Sequence, residues 1–546
     1  MKKLLFLFAA LAFGPSVPAQ KTIGISCIGD SIMSGNGLPS RERNNIPAQL
    51  QNMLGKTFEV KMDDAPGKLA AQLQNMLGKG YVVTVEKNSR LPDIVLICFA
   101  DEKRIDSAVL ACEAKRIIIA LPPVLPGSHP GDRERRMSAI RARAAERLCE
   151  IVDLAPVVSA KPENFQDPAH LSSLGATEIA RRLYEAVQFR AAAPLDIVRR
   201  LGAQAGGSFF GFRTFVVSGE GNNKITVISP HQPAKGYHWA QVSGDRTDSV
   251  TLLGLLERGV HVVISADATP GPQLKKAGLA AQPVISSNNT WTYNGQPLVQ
   301  FSERPLPGIL RALGLQPNFA AIAAPGSEYR SGAGWYPGKD WWAQHENIDS
   351  LLRAPGRLDI VFLGNSITQG TGGHRTTTTY KPGFPAFDSA FGMYRWESAG
   401  ISGDRTQNVL WRLQNGAYRE AAPRLIVLTI GVNNFPDNDP EEVAAGIKEI
   451  VNWIGKHMPK TKLLLLGPLP AGNQPGDMRR VKYEKTQAII RGLAVRGRYL
   501  PLAGTFILPG GPLDPKLYSG DGIHLQTAGY QAWANALKPV VDEMLR

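Results

Sequence analysis

Short apolar runs alternate with stretches of helical periodicity over much of this 546-residue chain. Runs of strand length stand at 358–363, 424–430 and 462–466, and each ends at a glycine. Apolar residues at helical spacing then follow over 439–454, where Asp439 and the next proline predict a helix start. Buried strands alternating with amphipathic helices predict the α/β class, with a parallel sheet covered by helices on both faces.

The same alternation occurs nearer the N-terminus. Apolar runs at 23–28, 91–99 and 116–121 predict strands, and the charged stretch 133–151 predicts a helix. We therefore expect a second parallel sheet within 20–190.

A third pattern fills the middle region, 195–345. It predicts short strands at 209–217, 224–229 and 260–265, with a helix at 252–258 between them. The stretches GYHWAQ and LLERGVHVVISAD resemble the start of an alpha/beta-hydrolase domain, but no G-x-S-x-G motif follows. We expect a smaller α/β accessory region, truncated relative to such a domain and without that chemistry.

The N-terminus has the features of a signal peptide. Lys2 and Lys3 precede the apolar stretch 4–13, and small residues at 17–19 predict cleavage before Gln20. No later stretch approaches about 18 apolar residues, so no membrane span is expected. The sequence predicts an exported protein, periplasmic or extracellular.

Composition describes a soluble globular protein, with 43% hydrophobic and 20% charged residues. The formal charge of +14 favours either an evenly charged surface or an anionic partner, and no nucleic-acid motif accompanies it. Cys27, Cys98, Cys112 and Cys149 have no metal-site spacing, so both disulfides and buried free thiols stay open.

The candidate chemistry lies in four polar blocks of the last 200 residues. Ser366 follows a strand and a tight turn in LDIVFLGNSITQG, where it can act as a nucleophile if a base reaches it. The base candidate is His524, three residues after Asp521. Between them stand GISGD, which contains Gly403, and GVNN, which contains Asn433.

In this order and spacing, the blocks resemble the SGNH (GDSL) hydrolase superfamily, and most of all the catalytic subunits of platelet-activating factor acetylhydrolase. The resemblance implies a flavodoxin-like, doubly wound sheet in 346–546 and a Ser366–His524–Asp521 triad. It also implies an oxyanion hole built from Ser366, Gly403 and Asn433. One departure is Asn365, where the family usually has aspartate.

Residues 20–190 resemble a degenerate second copy of the same fold. Ser31, Asp167 and His170 stand where a triad would, as a vestigial second site. The glycine and asparagine blocks that supply oxyanion donors are missing, which predicts an inactive or weak site. The peptide AQLQNMLGK occurs twice, at 48–56 and 71–79. We assign no function to this duplication.

Aromatic residues cluster just before the last region. They are Tyr329, Trp335, Tyr336, Trp341 and Trp342. Such a cluster can pack the linker onto the domain or offer flat faces to a sugar ring, and we favour packing.

Together these features predict a signal peptide (1–19), a degenerate SGNH-like domain (20–190), an accessory region (195–345) and a catalytic SGNH domain (346–546). The expected function is a secreted serine esterase that hydrolyses acetyl esters, on glycans before lipids of the platelet-activating-factor type. A glycan-binding protein with a residual esterase domain is the alternative. We expect no cofactor or metal and no nucleic-acid partner, and the oligomeric state stays open.

Overall fold

We describe the fold from a computed structural model. It describes residues 22–62, 92–99, 114–124, 149–158, 162–168, 170–218, 224–242, 249–265, 271–280, 283–287, 290–298, 305–327, 332–493 and 497–546, with single positions 104, 105, 108, 109, 112, 126, 137, 140, 141, 144 and 330. The predicted signal peptide and the second AQLQNMLGK copy lie outside these residues.

The first sheet has five parallel strands in the order β2-β1-β3-β4-β5. Its strands are β1 (Ile23–Gly29), β2 (Phe58–Met62), β3 (Ile94–Cys98), β4 (Arg116–Leu121) and β5 (Glu150–Asp153). The helices beside it are α1 (Ser31–Ser34), α2 (Arg41–Asn44), α3 (Ile46–Leu54), α4 (Ala155–Val158) and α5 (Ser173–Gln188). Strand β3 is buried along its whole length, as expected where helices cover both faces.

The middle sheet is mixed and has eight strands, in the order β13-β12-β11-β9-β10-β8-β7-β6. Its strands are β6 (Gln204–Phe209), β7 (Phe212–Ser218), β8 (Lys224–Ile228), β9 (Trp239–Val242), β10 (His261–Ile264), β11 (Val284–Ser287), β12 (Thr290–Tyr293) and β13 (Gln296–Pro297). Its helices are α6 (Ile197–Leu201), α7 (Ser249–Leu256), α8 (Gly271–Lys276) and α9 (Pro305–Ala312).

The bounds predicted for one strand in this region were wrong. Phe210 and Gly211 both have positive φ, 50° and 87°, and turn the chain between β6 and β7. The predicted strand 209–217 is therefore a hairpin turn followed by β7, because this backbone conformation cannot continue a strand.

The third sheet again has five parallel strands, in the order β15-β14-β16-β17-β18. Its strands are β14 (Ile360–Gly364), β15 (Trp396–Gly400), β16 (Leu425–Thr429), β17 (Lys462–Leu465) and β18 (Gly497–Tyr499). Its helices are α10 (Trp341–Leu352), α11 (Ser366–Gln369), α12 (Phe384–Phe391), α13 (Thr406–Asn415), α14 (Tyr418–Ala421), α15 (Pro440–His457), α16 (Met478–Ile490), α17 (Ala503–Phe506) and α18 (Thr527–Leu545).

The first and third sheets share the strand order 2-1-3-4-5, which is that of flavodoxin-like folds. In such sheets, ligands bind outside the carboxyl ends of the strands, where the strand order reverses. In the third sheet this place lies beyond β14 and its neighbours β15 and β16.

The tryptophans before the third sheet are core residues. Trp335, Trp341 and Trp342 are only 2–7% exposed, which confirms packing and excludes sugar stacking on these three rings. Tyr336 is 47% exposed, and Tyr329 lies outside the described residues.

Helices of the third sheet contact helices of the first. The indole N–H of Trp342 donates to the Asn44 side chain at 2.8 Å, and that of Trp411 donates to the Asn52 side chain at 3.0 Å. Buried indole groups need such partners, so these bonds join the two parts of the chain. The domain boundaries given above stay a prediction.

The four cysteines, all among the described residues, form no disulfide in the structure. Burial raises the pKa of Cys27 to about 12 and also raises that of Cys98, so these thiols are held in their neutral form. Within the described ranges, no helix combines the length and the hydropathy needed to cross a membrane.

Candidate active site

Ser366 lies on a tight turn between β14 and α11. A Cβ on Gly364 would lie 2.2 Å from the Thr429 carbonyl oxygen, so glycine permits β14 and β16 to approach closely here. The Asn365 side chain then accepts the Ile367 N–H at 3.1 Å and caps the helix. Asparagine therefore performs the capping that aspartate can perform, and the departure at this position leaves the turn intact.

The side chain of Ser366 and two side chains from the loop before α18 form a continuous series of hydrogen bonds. Ser366 Oγ lies 2.9 Å from His524 Nε2, and His524 Nδ1 lies 2.6 Å from an Asp521 carboxylate oxygen. The other carboxylate oxygen of Asp521 accepts the N–H groups of Ile523 and His524, both at 2.9 Å, and the Ser519 hydroxyl at 2.7 Å. The loop therefore holds Asp521 and His524 in one fixed relation to each other.

The charge state of Asp521 follows from these bonds. Partial burial alone would raise the pKa of Asp521, but the bonds from the His524 ring, the two N–H groups and the Ser519 hydroxyl lower it well below its usual range. An ionised carboxylate only accepts hydrogen bonds, so His524 Nδ1 carries the proton. Nε2 is then free to accept the proton of Ser366.

The strand register brings the two remaining blocks to the same edge of the sheet. Gly364 pairs with Gly400 on one side and with Thr429 on the other. The loops that carry Gly403 and Asn433 therefore leave the sheet beside the turn of Ser366. Gly403 has a φ of 85°, a conformation that favours glycine.

Potential donors to an oxyanion are available at this edge. Among the residues that the structure describes, no protein group accepts the backbone N–H of Ser366 or Gly403. Asn433 Nδ2 donates one of its two hydrogens to the Asp404 carbonyl at 2.9 Å, which leaves the second for another acceptor. Ser366, Gly403 and Asn433 are all partly accessible to solvent.

The loop after Gly403 is held by a buried ion pair that the sequence analysis missed. Arg412 Nη2 lies 2.7 Å from Asp404, with side-chain exposures of 0% and 1%. The Trp341 indole donates to the other oxygen of Asp404 at 2.7 Å. Arg412 also donates to the Ala399 carbonyl at 2.9 Å. The only sequence signal was that Asp404 and Arg412 both fall within GISGDRTQNVLWRLQNG.

Gln369 is a second positioning residue that the sequence analysis missed. Its side-chain oxygen accepts the Ser402 N–H and the Trp335 indole N–H, both at 2.9 Å. Its side-chain nitrogen donates to the Ala333 carbonyl at 2.8 Å. One amide at the end of α11 therefore ties the glycine loop and the segment 332–336 to the helix that begins with Ser366.

Arg375 is 2% exposed, although the two glycines just before it, Gly372 and Gly373, favour a surface loop at this position. It donates to the Gly400 carbonyl at 2.7 Å and to the Gln344 side chain at 2.5 Å. These bonds link the end of β15 to α10. Burial, with Arg412 nearby, lowers the pKa of Arg375 to about 9. His374, its neighbour, is exposed and bonds Glu397 at 2.9 Å.

The first sheet repeats part of this arrangement. Asp30 caps α1 by accepting the Ile32 N–H at 3.1 Å, and Ser31 is the first helical residue, as Ser366 is in α11. His170 Nδ1 lies 2.9 Å from Asp167, whose carboxylate also accepts the His170 N–H at 2.9 Å. Among the described contacts, Ser31 makes no hydrogen bond to His170. The dyad is present, and the vestigial character of this site stays a prediction.

Part of the chain is similar to known acyl hydrolases. Residues 362–532 match the GDSL-like Lipase/Acylhydrolase family. Platelet-activating factor acetylhydrolase IB subunit alpha2 of Rattus norvegicus is 29% identical over 209 residues, 38% of this chain and 85% of that protein. The alpha1 subunit of the same organism is 30% identical over 210 residues, 38% of this chain and 84% of that protein.

One solved structure is also similar to part of the chain. Est24, a carbohydrate acetylesterase from Sinorhizobium meliloti, is 18% identical, with a TM-score of 0.27, over 34% of this chain and 100% of that one. The family match and the two relatives together show that the chain belongs to the GDSL-like lipase/acylhydrolase family and is an ester hydrolase.

Proposed function

We propose that this protein is an exported serine esterase that removes short acyl groups, above all acetyl, through Ser366, His524 and Asp521. The observation that carries the proposal is the unbroken chain from Ser366 Oγ to His524 at 2.9 Å and on to Asp521 at 2.6 Å. Nucleophile, base and orienting carboxylate have the relative positions that acyl transfer requires.

In the first half of the reaction, Ser366 Oγ attacks the acyl carbon as its proton passes to His524 Nε2. The tetrahedral oxyanion accepts hydrogen bonds from the N–H groups of Ser366 and Gly403 and from the Asn433 amide. Asp521 stabilises the imidazolium that has formed. His524 then returns the proton to the leaving alcohol, and the acyl group remains on Ser366.

In the second half, water takes the place of the alcohol. His524 accepts a proton from the water, whose oxygen attacks the acyl carbon of the Ser366 ester. The same donors hold the second oxyanion. Its collapse releases the carboxylic acid, and the proton on His524 returns to Ser366 Oγ.

O-acetyl groups on glycans are the proposed natural substrate. The side chains of Asp521 and His524 are 46% and 47% exposed, so the triad is open enough to meet an ester on a bulky polymer. Lipid esters of the platelet-activating-factor type are the second candidate, because the curated relatives carry that name. The sequence has no long apolar segment to bury an acyl tail, which favours the first.

The first sheet and the accessory region are proposed to bind rather than to hydrolyse. The dyad of Asp167 and His170 lacks a hydrogen bond to Ser31 among the described contacts, which supports this role. The alternative in which the whole chain is a glycan-binding protein with residual esterase activity predicts tight binding and slow turnover.

The test is a comparison of initial rates on 4-nitrophenyl acetate and butyrate. Ser366→Ala should remove nearly all activity, whereas Ser31→Ala should keep it, and acetate should be the better substrate. Ser31 is a matched control because it has the same local setting at a helix start. If Ser31→Ala lost the activity and Ser366→Ala kept it, the catalytic role would have to be assigned to Ser31 instead of Ser366.

A further inference from the structure

A cationic side chain from outside the third sheet lies against the glycine loop of the active site. A Cβ on Gly403 would lie 2.7 Å from Nε, 2.8 Å from Cζ and 3.0 Å from Nη2 of Arg330. Arg330 is exposed to solvent and belongs to the segment that leads from the accessory region into α10. Its guanidinium therefore lies directly beside a proposed oxyanion donor.

The neighbouring segment is fastened to the catalytic residues. The Ala333 N–H donates to the Arg330 carbonyl at 3.1 Å, and the Ala333 carbonyl accepts from Gln369 at 2.8 Å. Gln369 in turn holds the Ser402 N–H, one residue before Gly403. Arg330 thus begins a segment that Gln369 bonds to the helix of Ser366, and the same Gln369 side chain holds the glycine loop.

A second cation lies against the Asp521 end of the triad. Arg479 Nη1 donates to the Asp521 carbonyl at 2.8 Å, and the residue is exposed. Arg405, the next arginine along the glycine loop, has its charge matched by Asp437 at 2.6 Å. One arginine thus lies beside the glycine loop and another beside Asp521, in a chain whose formal charge is +14.

We propose that Arg330 is a specificity-determining residue that selects acyl esters carrying an anionic group, a carboxylate or a phosphate, close to the scissile bond. This inference rests on the proposed function. An oxyanion lies about 3 Å from its donors, which places the guanidinium within roughly 8 Å of the reacting carbonyl. An anion on the alcohol part of the ester, such as one at the meta position of a phenyl ester, lies within reach of it.

The guanidinium suits this role. It has five N–H donors in a planar fork that matches carboxylate and phosphate oxygens. Arg330 also has an interaction within the chain, so a substrate anion would share a guanidinium that already has a partner. The chemistry points to acetylated acidic sugars or acetylated phosphate esters rather than neutral ones.

The experiment uses the full chain and three acetyl esters: phenyl acetate, 3-acetoxybenzoate and 3-acetoxyphenyl phosphate. Arg330→Gln should lower kcat/KM about five- to tenfold on the charged esters, mainly through KM, and less than twofold on phenyl acetate. Arg330→Lys should recover most of the loss. The carboxylate and phosphate substrates show which anion is preferred.

Arg405→Gln is the matched control, because it removes the same charge from an arginine of the glycine loop that bonds Asp437, and it should leave the ratio between the three substrates unchanged. An equal loss on all three esters with Arg330→Gln, or no loss on the charged ones, would overturn the proposal while the esterase function stands. Wild-type protein that cleaves none of the three would instead overturn the proposed function, and this inference with it.

Discussion

Asn433 Nδ2 donates to the backbone carbonyl of Asp404 at 2.9 Å, and this bond joins the second and third of the four polar blocks across the carboxyl edge of the third sheet. Because one amide hydrogen is held there, the direction of the other is set as well. The glycine loop therefore positions the side chain that we expect to bind the oxyanion.

Asn433→Ala should lower kcat about 10²- to 10³-fold with little change in KM, because the bond to the oxyanion strengthens in the transition state. Initial rates on 4-nitrophenyl acetate measure both constants. Asn415→Ala is the control, since Asn415 donates to the Trp411 carbonyl at 2.9 Å, away from the triad. A rise in KM alone would assign Asn433 to ground-state binding instead.

Asp404→Asn should destabilise the protein by about 3–5 kcal/mol, because it leaves the buried Arg412 charge without its partner. Urea unfolding of the two proteins gives the difference in free energy. The comparison is Asp437→Asn, which breaks the exposed pair with Arg405 and should cost about 1 kcal/mol or less. Similar losses in both variants would contradict the structural role of the buried pair.

Asp521→Asn should lower kcat about 10³- to 10⁴-fold, because an amide in place of the carboxylate favours the wrong tautomer of His524. The lowered pKa of Asp521 keeps it ionised across the pH range in which esterases are assayed. Ser519→Ala, which removes only one of the bonds to Asp521, should have a much smaller effect. Equal losses in the two variants would argue that loop geometry, rather than charge, is what matters.

The stability of the protein should fall as the pH drops below about 6.5. Burial, together with the nearby positive charges of Arg412, Arg43 and Arg353, lowers the pKa of His345 from 6.5 to about 3. Between these values the unfolded chain binds a proton that the folded state excludes. Each such histidine therefore removes up to about 1.4 kcal/mol of stability per pH unit.

His261 and His231 should add to this slope, because burial lowers the pKa of each to about 4. His345→Gln should reduce the difference in unfolding free energy between pH 7 and pH 5, whereas the exposed His457→Gln should not. Denaturant unfolding at both pH values measures it. An unchanged difference in His345→Gln would show that this imidazole is already protonated in the folded state.

Much of the site was predictable because its signals are local. The cap at Asn365, the first helical position of Ser366 and the three-residue spacing of Asp521 and His524 each depend on a few neighbouring residues. The apolar runs predicted strands of the third sheet, and the family resemblance implied their order. The strand predicted through Phe210 was wrong and the burial of Arg375 was not predicted, since a positive φ and a distant packing partner leave no mark in periodicity.

The sequence by itself determined the strand–turn–helix that presents Ser366, the dyad of Asp521 and His524, and the α/β class, because helix caps, turns and apolar periods act over short stretches of chain. Only the tertiary structure decided that Asp404 pairs with Arg412 and that Arg330 lies over Gly403. These contacts depend on strand register and on how separate elements pack, so the polar groups that meet cannot be identified from their own neighbours in the chain.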